Sequence, residues 1–144
     1  MSTFDPQTPN FEARVRESFA RQTLMEMIGA TLVKVAPGEV EIELPFRDDL
    51  TQQHGFLHAG IVTSIADTAC GYAALSLMPE DADVLSVEYK INLLSPARGE
   101  LMRARGRVTR PGRNLTVCGG DVFAVTGGRE KLVATMLATM MTIR

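Results

Sequence analysis

The 144-residue chain predicts an α+β fold, an antiparallel sheet wrapped around one long helix. Three observations predict it. Residues 60–77 are apolar around most of a helical circumference, so they need a cover wider than a single helix face. Long segments of β-like alternation follow with no further helical period. A short alternating pair precedes the helix, and elements in that order pack most simply as one sheet folded over it.

Taken in order, residues 1–10 carry Pro6 and Pro9 and read as a loose arm. Asn10 is placed to cap a helix from Phe11, with Phe11, Val15 and Phe19 at successive i+4 steps. A second helical segment, residues 23–28, ends before Gly29. Residues 31–35 and 40–44 flank a Pro37-Gly38 turn and read as a hairpin. Residues 47–57 are polar and irregular. The long helix stops before Pro79, because the residue preceding a proline avoids the helical region. Strands are expected at residues 84–94, 99–109, 114–125 and 131–143, with turns at Arg110-Pro111-Gly112-Arg113 and Gly127-Gly128.

Composition narrows the function classes. With 45 % hydrophobic and 22 % charged residues, the chain reads as one ordinary globular domain, residues 1–28 forming an arm with helices and residues 30–144 the core. A net charge of −2 argues against general nucleic-acid binding. Cys70 and Cys118 lie in apolar surroundings without metal-ligand spacing, and both read as reduced core thiols; no metal or cofactor is expected. The first residues lack the pattern of a signal peptide, and no run approaches the roughly 18–20 apolar residues that span a bilayer. A cytoplasmic location is expected, without a membrane partner.

The chemistry concentrates where a glycine-bearing loop enters the long helix, residues 52–67, with His58-Ala59-Gly60 at the helix start and Asp67 within it. A helix start presents unpaired N–H groups and partial positive charge, suited to a developing oxyanion. Asp67 shares a helical face with Gly60, Ser64, Gly71 and Ala74, all small or uncharged, whereas a solvated face usually shows several Lys and Glu. A carboxylate in that setting suits general-base chemistry on an activated acyl group. His58 and Asp67 are nine residues apart, about 13 Å along a helix and on opposite sides of it. One chain therefore does not bring both onto one carbonyl, and a two-fold dimer that sets one chain's loop against the other's helix does.

Residues 52–67, continued by Leu85-Ser86-Val87-Glu88-Tyr89-Lys90 and Leu94-Ser95-Pro96-Ala97, resemble the signature of PaaI-type hotdog-fold thioesterases, which hydrolyse acyl-CoA thioesters. The resemblance runs from about Val40 to the C-terminus. It implies a hotdog fold, acyl-CoA as partner, and a homodimer or homotetramer. It implies Asp67 as the catalytic carboxylate, acting as general base or nucleophile, and the Ala59 N–H as the group polarising the thioester carbonyl. His58 then orders the loop and helps to hold the thioester, Gly55 supplies its turn, and Ser86 matches a position that in some relatives places the hydrolytic water. Two residues depart from the usual pattern: Ala59 stands where glycine is most frequent, and Gln52 where asparagine is. Related 4-hydroxybenzoyl-CoA thioesterases use glutamine there, paired with glutamate.

Other readings attach to the same residues. Gln53 is placed to exchange roles with Gln52, and His54 reads as structural. Ser86 shares one side of an alternating strand with Val84, Glu88 and Lys90, where a plain polar-face serine also fits. Arg98, Arg110 and Arg113 sit in turns where they can meet CoA phosphates, although turn arginines are usually solvated, and Gly55 and Gly60 at the loop are further substrate-binding candidates. Met25, Met27, Phe56, Leu57, Tyr72 and Met78 suit either an acyl channel or the core. With no tryptophan and 6 % aromatic residues, aliphatic acyl groups are favoured over aryl ones. A hotdog hydratase or dehydratase would place its acid and histidine as a pair, which this spacing does not offer. A non-catalytic acyl-CoA sensor would usually carry a basic DNA-binding segment, which the short N-terminal arm does not resemble.

Overall fold

The structure is a computed structural model and describes residues 4–144. Two short helices, α1 (Phe11–Ala20) and α2 (Thr23–Ile28), precede the hairpin β1 (Thr31–Ala36) and β2 (Glu39–Pro45). A 3-10 turn (Asp48–Leu50) and an irregular loop lead into α3 (Ala59–Leu75). Then come β3 (Asp83–Leu93), β4 (Leu101–Arg110), β5 (Leu115–Thr126) and β6 (Arg129–Ile143). The strands form one antiparallel sheet in the order β1-β2-β4-β5-β6-β3. Helix α3 packs against every strand from β2 to β6, so the sheet wraps the helix as expected.

Alternation in β2 sends Val40, Ile42 and Leu44 inward and Glu39, Glu41 and Glu43 outward, where the last two pair with Arg105 and Arg103 of β4. Against the inner face α3 turns Ala66, Ala69, Cys70 and Ala73, small residues that let the helix backbone lie close to the sheet. Gly106 of β4 marks the closest approach: a Cβ there would run into the backbone of Ala69 and Cys70. Helix backbone cannot step aside as a flexible side chain does. Gly106→Ala is therefore expected to cost about 1–3 kcal/mol or more, read as a lower denaturation midpoint at unchanged slope. An unchanged midpoint would contradict this packing.

Cys70 and Cys118 are both buried free thiols. Burial pushes the Cys118 thiol up to about 12 and raises that of Cys70 further, so neither is a thiolate at neutral pH.

Four expectations are corrected. The arm is not loose where it is described: Phe4 packs on the core, Gln7 Nε2 donates to the Leu77 carbonyl at 2.9 Å, and Thr8 is buried. Met1, Ser2 and Thr3 lie outside the described residues. Asn10 precedes α1 but its side chain makes no capping bond, since its backbone (φ −97°, ψ 23°) departs from the extended form a cap requires. Helix α3 ends at Leu75, two residues early, where Ser76 Oγ donates to the Ala73 carbonyl and accepts from Gly38 N–H of the hairpin turn. In β3 the register against β6 shifts between Ser86 and Glu88, so strict alternation does not put Ser86 on one side with Glu88 and Lys90.

Candidate functional site

The loop before α3 is organised by Gln52. Its Oε1 accepts from the N–H groups of His54 (2.6 Å) and Phe56 (3.3 Å), while its backbone N–H donates to the Phe56 carbonyl (2.8 Å). Gly55 makes the turn between them with φ +82°, a conformation that side chains rarely adopt. Gln53 and His54 are exposed; Gln52 is half-buried and is the glutamine facing the cavity below. Two further bonds anchor the loop, Leu57 N–H to the Ala97 carbonyl and His58 N–H to the Leu50 carbonyl, each 3.0 Å.

His58 caps α3. Its Nδ1 accepts from Gly60 N–H at 2.8 Å, and its carbonyl accepts from Ile61 and Val62 at 2.9 and 3.2 Å. Of the first-turn amides, that leaves the Ala59 N–H without an acceptor among the described residues. It borders a cavity of about 460 Å³ lined also by Gln52, Phe56, His58 and Val62 from the loop and helix, and by residues 93–97 at and just beyond the end of β3.

Asp67 lies elsewhere, on the wall of a second cavity of about 300 Å³. It is half-buried, and no Lys or Arg pairs with it among the described residues. Ser86 Oγ donates to its Oδ1 at 2.6 Å, a short bond of the kind an ionised acceptor favours. Ser86 can do so because it precedes the bulge and its side chain points at α3. Ser18 of α1, Leu24 of α2 and Gln22 between the two helices close this cavity, and Tyr72 joins them: its hydroxyl accepts from Gln22 Nε2 (3.0 Å) and shares a hydrogen bond with Ser18 Oγ (3.1 Å). Sequence reasoning missed Ser18, Gln22 and Thr68. The first two meet the site only through the tertiary fold; Thr68 was legible from its place on the Ser64–Asp67–Gly71 face.

The arginines divide between the two ends of α3. Arg98 stands over the Phe56 ring at 5.7 Å, beside the loop cavity. Arg113 lines a cavity at the other end with Gln7, Met78 and Arg144, and Arg110 does not line it. None of Arg98, Arg110 and Arg113 has a carboxylate partner among the described residues, whereas Arg103, Arg105 and Arg107 all do. Of the channel candidates, Met25, Leu57, Tyr72 and Met78 are buried, Met27 is exposed, and Phe56 faces the loop cavity.

The model of the thioesterase superfamily matches residues 54–131, more than half of the chain and including both His58-Ala59-Gly60 and Asp67. The chain belongs to this superfamily. Human acyl-coenzyme A thioesterase 13 is 31 % identical over 105 residues, 72 % of this chain and 73 % of that protein. A solved thioesterase family protein from Silicibacter pomeroyi is 51 % identical, with a TM-score of 0.91 over 92 % of this chain and 98 % of that one. The Escherichia coli PaaI protein superposes with a TM-score of 0.84 over 94 % of each chain, and at 18 % identity that likeness concerns the fold. The chain therefore has the hotdog fold, and its family supports thioester hydrolysis in general. Among its described residues, no helix is long and apolar enough to cross a membrane.

Proposed function

We propose that this chain hydrolyses an acyl-CoA to the free acid and CoA at a site shared by two copies of it. The observation that carries the reading is the position of the two cavities along β3. Residues 83–86, at its start, border the Asp67 cavity; Leu93, its last residue, and residues 94–95 just after it border the Ala59 cavity. Strand β3 is an edge of the sheet, and Leu85, Val87, Tyr89 and Leu93 along it are about half exposed. Pairing two such edges antiparallel about a two-fold axis covers them and sets the start of one β3 against the end of the other. That arrangement supplies one chain's Ala59 N–H and the other's Asp67 to the same thioester.

In this reading the thioester carbonyl accepts from the Ala59 N–H, and the partial positive charge at the start of α3 stabilises the oxyanion as it forms. His58 holds the first turn through Gly60 and keeps Ala59 open, while Gln52 and Gly55 fix the loop. Asp67, oriented by Ser86, takes the proton of an attacking water or attacks the carbonyl carbon itself. On the base route the C–S bond breaks and CoA leaves as the thiol with the proton that Asp67 took from water. On the nucleophilic route it leaves as the thiolate and takes a proton from solvent, and a water then hydrolyses the acyl–Asp67 anhydride to the free acid. Single turnover in labelled water separates the two routes. With a nucleophilic Asp67 whose anhydride is opened at the Asp67 carbonyl, the solvent oxygen stays in the enzyme carboxylate and the product acid is unlabelled, whereas with a general base it enters the product acid. The homodimer, or a tetramer of two such dimers, is the active unit, and its soluble substrate suits a cytoplasmic enzyme.

The CoA phosphates are assigned to Arg98, Arg110 and Arg113, three of the arginines that form no ion pair among the described residues, since the chain as a whole is slightly acidic. Arg113→Ala is expected to raise KM for acyl-CoA with little change in kcat, because a contact remote from the reacting carbon is equal in ground and transition states. A pantetheine thioester without the nucleotide should not register the substitution. An unaltered KM for acyl-CoA, or equal harm to the truncated substrate, would remove Arg113 from the site.

A further inference from the structure

The superfamily match begins at residue 54, so helices α1 and α2 stand outside it, yet both reach the Asp67 cavity. They are held there from the side of α3. The Tyr72 hydroxyl bonds Gln22 Nε2 and Ser18 Oγ, and its ring meets that of Phe19 edge-on, with 6.1 Å between centroids. Met25 and Ile28 of α2 are buried in the core, which fixes that helix from its other side. Leu24 is left on the cavity wall, 40 % exposed. It is the one apolar side chain that the two helices present there among the described residues. A large apolar group left beside a cavity is unburied until something apolar fills the space.

Charge decides which end of an acyl-CoA suits this cavity. Asp67 and Asp83 line it and no Lys or Arg does, so the CoA phosphates are repelled from it. The loop cavity beside Ala59 differs. It shares Phe56 and Pro96 with an open cavity of about 610 Å³ that Arg98 and Lys131 line. Glu100, the acid in that second cavity, has Oε1 taken by the Gly127 N–H at 2.8 Å. Phosphates are thus favoured beyond the loop, and the uncharged acyl chain is favoured on the Asp67 side, between Leu24 of α2 and Val84 of β3. A chain longer than that space meets helices that are clamped in place.

We infer that α1 and α2 form the end wall of the acyl pocket and that Leu24 is the specificity-determining residue that limits acyl length. The inference rests on the thioesterase reading above. The two are separated by measuring kcat/KM of the full chain for straight-chain acyl-CoAs from butanoyl to hexadecanoyl, with release of free thiol as the signal. The native profile should rise while added methylenes find apolar wall, then fall where the chain meets α2. Leu24→Ala should raise the ratio of the first disfavoured length to the preferred one by about tenfold, the order of discrimination that a methylene or so commands in an apolar pocket. Leu24→Trp, which thickens the wall, should move the preferred length the other way. Met27→Ala is the control: Met27 is on the same helix, 67 % exposed and not at the cavity, so the ratio should not change. The ratio between lengths is the readout, since a general loss of folded enzyme lowers all rates together. A native profile still rising at hexadecanoyl-CoA, a ratio that neither Leu24 variant moves, or one that Met27→Ala moves equally overturns the inference and leaves the thioesterase reading intact. Absence of hydrolysis of every acyl-CoA in the series overturns both.

Discussion

Asp67→Asn is expected to lower turnover of acyl-CoA by about 10²–10⁴-fold, the range for loss of a positioned general base. The substitution is close to isosteric, and the amide oxygen can still accept from Ser86 Oγ, which lies 2.6 Å from Oδ1 in the native arrangement. What is lost is the basic, nucleophilic carboxylate. Asp67 forms no ion pair among the described residues, so removing its charge strands no buried cation. The melting temperature should therefore stay within a few degrees of the native value while kcat collapses. Hydrolysis of every acyl-CoA tested at the native rate would show that the acid does something else.

Ala59→Pro is expected to cost about 10²–10³-fold in kcat, the effect of removing one oxyanion donor. Proline is well suited to this position. It is the first residue of α3, where proline is favoured, and the preceding His58 already has φ −59° and ψ 138°, the extended form that a residue before proline adopts. The only hydrogen-bonding group lost is the N–H that has no acceptor among the described residues. Far-ultraviolet circular dichroism and the melting temperature should be close to native. A variant that folds and keeps full activity would place the polarising group elsewhere.

The hairpin, the long helix and the later strands could be read from the sequence because their patterns are local: alternation in residues 40–44, apolar residues around α3, and Gly or Pro at the turns. The expected strand ends fall within two residues of those observed. The loop was legible for the same reason, since the side chains of Gln52 and His58 and the N–H of Gly55 bond to neighbours two to four residues away. Ser86 was harder. A single extra residue at the bulge changes which side a strand presents, and nothing in residues 84–90 announces it. The N-terminal segment misled because its prolines suggest irregularity, which is correct, while its burial comes from contacts some seventy residues away, such as Gln7 with Leu77. Ser18 and Gln22 reach the Asp67 cavity by the same long-range route, so their proximity belongs to the fold and not to any motif.

The division of the reacting groups between two chains is tested most directly by mixing the two inactive variants. A dimer of one Asp67→Asn chain and one Ala59→Pro chain holds one shared site with both groups intact and one with neither. Random exchange at equal amounts should thus restore roughly a quarter of the native activity per chain from two preparations that each have almost none. Exchange is followed separately with chains of different tagged mass. Recovery near that level is the result predicted by a site built across the β3 edges. Complete exchange with no recovered activity would contradict it, because a site contained within one chain lacks either its acid or its amide in every molecule of the mixture.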